Sequence, residues 1–363
     1  FYLSNQTISI GVIGSGLIGG TFIDQLKTQM EILKKEFKID LRVRGIFNSK
    51  AMVLSEKGRS LENWRDYIKN SGVSPDLESF VAHVQADHFP HAAIVDCTAS
   101  AELAAHYPCW LKRGIHIITP NKKANTGTME FYRTLRSVSR DRNCHYLYET
   151  TVGAGLPIIS TLRDLIQTGD EVLEIEGVLS GTISYIFNTF DGTKPFSEIV
   201  QDARSKGYTE PDPREDLSGV DVARKLVILA REIGLDLELG DVRVESLVPE
   251  LLRDGSIEDF LHGLPGHDSA MMDLLNRARD RDQVIRYVGV VDPKKGCAVQ
   301  LKNYPRSHVF ARTSGSDNIV AFKTHRYNPQ PLIVQGPGAG PAVTAGGVFA
   351  DLLRLASYLG GSA

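Results

Sequence analysis

The densest chemistry in this chain lies in GYTEPDPREDLSGVDVARK, from Gly207 to Lys225. Acids run from Glu210 through Asp216 to Asp221, in a loop stiffened by Pro211 and Pro213. Such a cluster is ordinarily a solvated loop or the acidic bias of a helix start. Ser218 or Asp216 is placed to cap a helix beginning near Gly219. Asp221 and Lys225 stand four residues apart and share one helix face. As an exposed pair they would contribute about 0.3–0.5 kcal/mol. The run that follows, Leu226-Val227-Ile228-Leu229-Ala230, is apolar and implies a buried helix. A lysine leading into such a helix is partly desolvated and suited to donate a proton. On these residues alone, ion pair and site both stand.

A second pattern is ISIGVIGSGLIGG, with Gly14, Gly16 and Gly19 in G-x-G-x-x-G register and Leu17 and Ile18 between them. It follows a strand signal and opens a helix signal, the context in which the pattern means dinucleotide binding. The first glycine allows a tight turn, the second lets backbone approach a pyrophosphate, and the third lets helix and strand pack closely. At the end of the next strand, Phe47-Asn48-Ser49-Lys50 offers no acid for a ribose 2′-hydroxyl. Small polar groups beside Lys50 suit a 2′-phosphate, so NADP is expected, with NAD the alternative and a solvated Lys50 the plainer reading. Two further loops, Asp96-Cys97-Thr98-Ala99-Ser100 and Thr119-Pro120-Asn121-Lys122-Lys123, also follow strand signals. A lysine fixed by a Pro-Asn turn can meet a cofactor or polarise a carbonyl, and one of this adjacent pair is expected to be solvated.

The elements that must position these groups alternate over the first 150 residues. Strand signals at Thr7–Ile13, Leu41–Phe47, Ala92–Asp96, Ile115–Thr119 and Cys144–Tyr148 are separated by helical spacing. The span after Phe47 reads as polar. Repeated strand–helix–strand units imply an α/β, Rossmann-type doubly wound parallel sheet. From Thr150 the rhythm becomes α+β, with helices near 156–167, 183–190, 197–206 and 220–233. Later strands at Val284–Val291, Ala298–Leu301 and Ile319–Thr324 look antiparallel, with Asp292–Gly296 as a hairpin turn. The expected division is a dinucleotide-binding domain over 1–148, completed by 336–363, and a substrate-binding, catalytic and dimerisation domain over 149–335. The glycine-rich GPGAG turn ending at Gly340 feeds the final helix and suggests a further close backbone approach.

Composition narrows the function classes. Hydrophobic residues make up 42% of the 363, enough for a core, which argues against disorder. A net charge of −3 excludes a protein that binds nucleic acid through a broad basic face. No apolar run is long enough to span a bilayer. Cys97, Cys109, Cys144 and Cys297 form neither a CxxC pair nor a zinc spacing, and they read as reduced, buried thiols of an intracellular protein. The chain opens at Phe1 with no signal-peptide pattern, so a piece of a longer gene product is expected.

Taken together, GSGLIGG, TPNKK, ETTVGAGLPII, SGTISYI, GYTEPDPREDLSGVDVARK and GPGAGPAVTAGG resemble homoserine dehydrogenase over nearly the whole chain. The segment GIFNSKAMVLSEKGRSLENW is similar to the version fused behind an aspartate kinase. The resemblance implies NADP-dependent interconversion of L-homoserine and L-aspartate 4-semialdehyde in threonine, methionine and isoleucine biosynthesis. It implies a catalytic Lys225 working with Asp221, substrate-binding Glu210 and Asp216, and Lys122 contacting cofactor and substrate. Thr98 falls where the family holds the nicotinamide end, and Gly207 and Gly340 match glycines near the cofactor. Glu149, Val152, Ala154 and Leu156 match a monovalent-cation site, with sodium the expected ion, built mostly from backbone carbonyls. A homodimer or higher assembly and a cytoplasmic location, or a plastid one in a plant, are also implied. Two other readings remain open on the sequence: another amino-acid-pathway dehydrogenase, and a dinucleotide sensor without catalysis, which would need neither the acid loop nor the Asp221–Lys225 pair.

Overall fold

The computed structural model describes residues 7–58 and 60–360. Two compact units divide the chain: one runs to Gly155 and resumes at Gly340, and the other is Leu156–Ala339. The rhythm of the sequence puts these breaks at 148/149 and 335/336 instead.

The first unit is built on β1 (Thr7–Ile13), β2 (Asp40–Phe47), β3 (Met52–Leu54), β4 (His91–Asp96), β5 (Ile115–Ile118) and β6 (Tyr146–Leu147). Their order across the sheet is β3-β2-β1-β4-β5-β6. All neighbours are parallel except β3, which returns antiparallel along β2. Every residue of β1 is buried, as a central strand covered on both faces requires. The strand order reverses between β1 and β4, so the loops leaving those two strands flank the crevice where such sheets bind ligands. Helix Leu17–Glu36 and the final helix Pro341–Tyr358 pack in one core, with Phe22 edge-on to Phe349 at 6.1 Å. The α/β reading of a mainly parallel sheet therefore holds for this unit.

The second unit carries β7 (Val172–Val178), β8 (Arg243–Val244), β9 (Gln283–Asp292), β10 (Gly296–Pro305), β11 (Asp317–Thr324) and β12 (Leu332–Pro337). The order is β12-β11-β7-β9-β10-β8, antiparallel except for β8 beside β10. Helix Val220–Glu232 lies against this sheet, where a Cβ on Gly289 would come within 2.6 Å of Leu226. Among the described residues, no helix is long and apolar enough to cross a membrane.

One buried group at the amino-terminal edge of the first sheet makes stability depend on pH. His116 is 4% exposed, beside the rings of His91 and His145. Its Nδ1 accepts the backbone N–H of His145 at 2.9 Å, which requires that nitrogen to be unprotonated. Burial, reinforced by His145 and His91, pushes its pKa down to about 3. The folded value lies below the unfolded value of about 6.5, so the unfolded chain takes the proton first as pH falls. This contribution is intact above about pH 6.5 and is lost below it, by at most ~1.4 kcal/mol per pH unit. Urea midpoints measured from pH 7 to 5 should fall more steeply for the wild type than for His116→Asn, which keeps an acceptor but cannot charge. Equal slopes would refute the account.

Candidate functional site

In the first unit the glycine-rich turn has the shape a pyrophosphate needs. Gly14 is left-handed at φ +88°, and a Cβ there would meet the Thr98 methyl at 2.7 Å. A Cβ on Gly19 would lie 1.9 Å from the Gly14 carbonyl oxygen, so helix and turn touch at backbone distance. Around Gly16, by contrast, nothing lies within 4 Å of where a Cβ would sit, which leaves open space over the turn. Gly16 is the N-cap of helix Leu17–Glu36, no side chain caps it, and the first turn has no acid. Leu17, 72% exposed, and half-buried Ile18 open that helix, and the amides of a first turn have no intrahelical acceptor. Free amides, the positive helix end and an open approach fit a bound diphosphate.

At the end of β2, the Asn48 side chain donates to Ser15 Oγ at 3.0 Å and accepts from the amides of Lys50 and Ala51. This ties the glycine turn to the position where an acid would read a ribose. A cleft of about 560 Å³ opens there, lined by Ser15, Lys50, Arg65, Lys69 and the apolar Trp64 and Ile68. Arg65 is committed to Asp24 at 2.6 Å. The loops after β4 and β5 carry Thr98 and Lys122, and Thr98 rests against Gly14. Of the two adjacent lysines, Lys122 is half-buried and Lys123 exposed. Gly340, at φ +128°, caps the start of the final helix.

The loop at the end of this unit holds Glu149, Val152 and Ala154, and Leu156 begins the next. Glu149 is buried, with its carboxylate 3.5 Å from the Arg354 guanidinium, and its amide donates to Asp351 at 2.8 Å. A cation here would therefore rely mostly on backbone carbonyls. Among the described residues, no cluster of three His, Cys, Asp or Glu side chains could hold a metal.

In the second unit, helix Val220–Glu232 begins at Gly219, left-handed at φ +75°, with no side-chain cap. Of the two expected caps, Asp216 makes none, whereas Ser218, the residue before the Gly219 N-cap, accepts the first helix amide, Val220 N–H, on its Oγ at 3.3 Å. A Cβ on Gly219 would meet the Tyr287 hydroxyl at 2.2 Å, so a close backbone approach sets this helix start. The same Ser218 hydroxyl donates to the Glu215 carbonyl. Asp216 accepts the Glu210 amide at 2.8 Å, folding the acid loop over itself. Burial pushes the Asp216 carboxyl above its ordinary range, and the nearby Glu210 and Asp221 act the same way. Lys225, 8% exposed, donates to Asp221 at 2.8 Å and to the Leu179 carbonyl at 2.7 Å. Those bonds use two of the three ammonium donors. Asp216 feels the charges of both Glu210 and Asp221, and among the described residues only Asp221 is paired to Lys225. The acids outnumber the lysine, an arrangement that attracts a further cation. Gly207, at φ +72°, ends helix Phe196–Ser205 and releases the loop that carries Glu210. Thr182 holds that loop by donating to the Tyr208 carbonyl at 2.5 Å.

Sequence reasoning misses the Leu179 carbonyl and Thr182. A backbone acceptor carries no side-chain signature, and Thr182 is visible only as part of SGTISYI.

Known proteins are similar along the whole length. Residues 157–353 match the family described as homoserine dehydrogenase, and residues 14–149 match its NAD-binding domain. A bifunctional aspartokinase/homoserine dehydrogenase of Daucus carota is 58% identical over 99% of this chain, which spans only 39% of that relative. Homoserine dehydrogenase of Schizosaccharomyces pombe is 40% identical, with 98% of this chain and 97% of the relative aligned. The crystal structure of a Candida auris protein of unknown function superposes with a TM-score of 0.88 at 37% identity, covering 97% of this chain and 98% of the other. A glycine turn fit for a diphosphate in one unit, a buried lysine paired with an acid in the other, and these matches across both make the chain a member of the homoserine dehydrogenase family.

Proposed function

We propose that this protein interconverts L-homoserine and L-aspartate 4-semialdehyde with NADP as the hydride carrier. The observation that carries the reading is Lys225, buried and held between Asp221 and the Leu179 carbonyl at the head of an apolar helix. NADPH, held at the Gly14–Gly19 turn, would supply the hydride that the aldehyde carbon receives. Completing the alcohol then takes one proton on the carbonyl oxygen, and Lys225 is the donor. Asp221 orients the ammonium for that transfer. Lys122 supplies the supporting positive charge as the oxygen becomes negative. Glu210 and Asp216 hold the substrate ammonium and so aim the aldehyde. The direct test is nicotinamide absorbance on adding homoserine, with NADP and NAD side by side. No change with either nucleotide overturns the reading.

The preference for NADP rests on the absence of an acid at the end of β2 and on the lysines lining the cleft there. Lys50→Ala should weaken NADP by about 10-fold, roughly one charge-assisted hydrogen bond, and leave NAD nearly unchanged. Equal effects on the two would return Lys50 to the solvated surface.

The same reading places the protein in threonine, methionine and isoleucine biosynthesis, in the cytoplasm or, in a plant, the plastid. A fused aspartate kinase is proposed by likeness to the carrot relative. A homodimer is the symmetric outcome expected of the strand-rich second unit. A monomer by light scattering at micromolar concentration would count against that assembly.

A further inference from the structure

Within the first unit, a single buried carboxylate joins the two loops that carry Thr98 and Lys122. Asp96 ends β4 with no exposed surface. Its Oδ1 accepts the Thr98 amide at 2.9 Å, and its Oδ2 accepts the Tyr107 hydroxyl at 2.5 Å and the Asn121 side-chain amide at 3.4 Å. The Asp96 carbonyl accepts Thr119 Oγ1 at 2.7 Å, and Thr119 Oγ1 in turn accepts the Asn121 amide at 2.9 Å. Asn121 crosses back, donating to the Ser100 carbonyl at 2.9 Å and accepting the Lys123 amide at 2.9 Å. The loop after β4 and the loop after β5 are therefore not independent. Each is hydrogen-bonded to the same residue, and Tyr107 braces that residue from helix Tyr107–Lys112.

The partners of this carboxylate are neutral donors, and burial pushes both the Asp96 carboxyl and the Tyr107 phenol upward. A buried acid of this kind is a costly way to fill space, which apolar side chains do without desolvation. Its advantage is directional: several convergent hydrogen bonds fix loop backbone where apolar packing tolerates slippage.

We propose that Asp96, braced by Tyr107, is a positioning residue that sets the two loops for the nicotinamide end of the cofactor. The pyrophosphate grip of the glycine turn is separate from it. The proposal rests on the dehydrogenase reading, through the roles given to Thr98 and Lys122. Small displacements of such groups are enough, since a shift of about 1 Å can cost about 10²-fold in rate.

The test compares wild type, Asp96→Asn and Tyr107→Phe. Calorimetry gives the affinity of each for the preferred dinucleotide and for its nicotinamide-free fragment, 2′-phospho-ADP-ribose for NADP or ADP-ribose for NAD. In both variants the fragment should bind within about 2-fold of wild type, while the advantage of the whole dinucleotide over the fragment shrinks and kcat falls about 10- to 100-fold. Folded variants with a lower Tm but an unchanged affinity ratio and kcat would show that Asp96 is a structural anchor only. Equal weakening of dinucleotide and fragment would equally overturn the proposal. If Asp96→Asn does not fold, Tyr107→Phe, which removes one hydroxyl and keeps the ring, decides by the same ratio. A wild type inactive on homoserine with the ratio shift intact would sink the substrate assignment and leave the loop positioning standing.

Discussion

Replacing Lys225 with alanine is expected to lower kcat for homoserine oxidation by about 10²–10⁴-fold, the usual contribution of a general acid or base. Dinucleotide affinity should stay nearly unchanged, because the glycine turn belongs to the other unit. The fold should tolerate the change. Asp221 has a half-exposed side chain that water can solvate, and the Leu179 carbonyl loses one charge-assisted hydrogen bond worth about 1.5–3 kcal/mol. Lys225→Arg sharpens the result, since arginine keeps the charge but holds its proton too tightly to transfer it at neutral pH. It should therefore be slow as well. Glu210→Gln should act differently, raising KM for homoserine more than it lowers kcat, because that acid is assigned to the substrate ammonium. Stopped-flow turnover with calorimetric NADP affinity separates these outcomes. A Lys225→Ala enzyme with near-full turnover would reduce Lys225 and Asp221 to an ion pair on a helix.

How legible each element is in the sequence follows from how it is buried. The strands of the first sheet are covered on both faces, so β1 and β4 read as apolar runs, and the glycine spacing between β1 and its helix marks the turn. The stretch after Phe47 reads as polar, yet it holds β3 and the helices Trp64–Lys69 and Leu77–Gln85. Helix Leu77–Gln85 buries only Phe80, Val81 and Val84, too few for a periodic signal. Its trace lies in the strands it covers, where Cβ atoms on Gly11 and Gly45 would clash with Val84 and Phe80 at 2.6 and 2.5 Å. Similarly, β12 is half-buried at a sheet edge and ends in Gly-Pro, and helix Asp268–Arg279 buries only Leu275 and Ala278. At the site, the spacing of Asp221 and Lys225 foretells their contact, because helical geometry alone brings them together. The cap at Gly219 escapes such reasoning because that backbone conformation, with the Tyr287 hydroxyl against it, depends on a strand far along the chain. Asp96 is in view as a lone acid closing the apolar run HAAIV, but its link to Asn121 exists only once β4 and β5 pair.

The glycine turn yields the other large effect, and the structure separates two substitutions that the motif alone would treat alike. Gly16 has φ −74° and ψ −152°, an extended conformation open to any residue, and no atom lies within 4 Å of a Cβ there. Gly16→Val should therefore fold with a Tm close to wild type. Its methyl groups would fill the space over the helix N-terminus and keep a diphosphate from the first-turn amides. Losing two charge-assisted hydrogen bonds, at about 1.5–3 kcal/mol each, weakens binding by at least about 100-fold. Gly19→Ala is the opposite case. Its Cβ would lie 1.9 Å from the Gly14 carbonyl oxygen, backbone against backbone, so the helix must move off the sheet. That variant should lose stability first and nucleotide affinity as a consequence. Thermal unfolding and NADP calorimetry on both proteins check the contrast. A Gly16→Val protein that binds NADP as tightly as wild type would mean that the pyrophosphate lies elsewhere, and the dinucleotide assignment of this turn would fall.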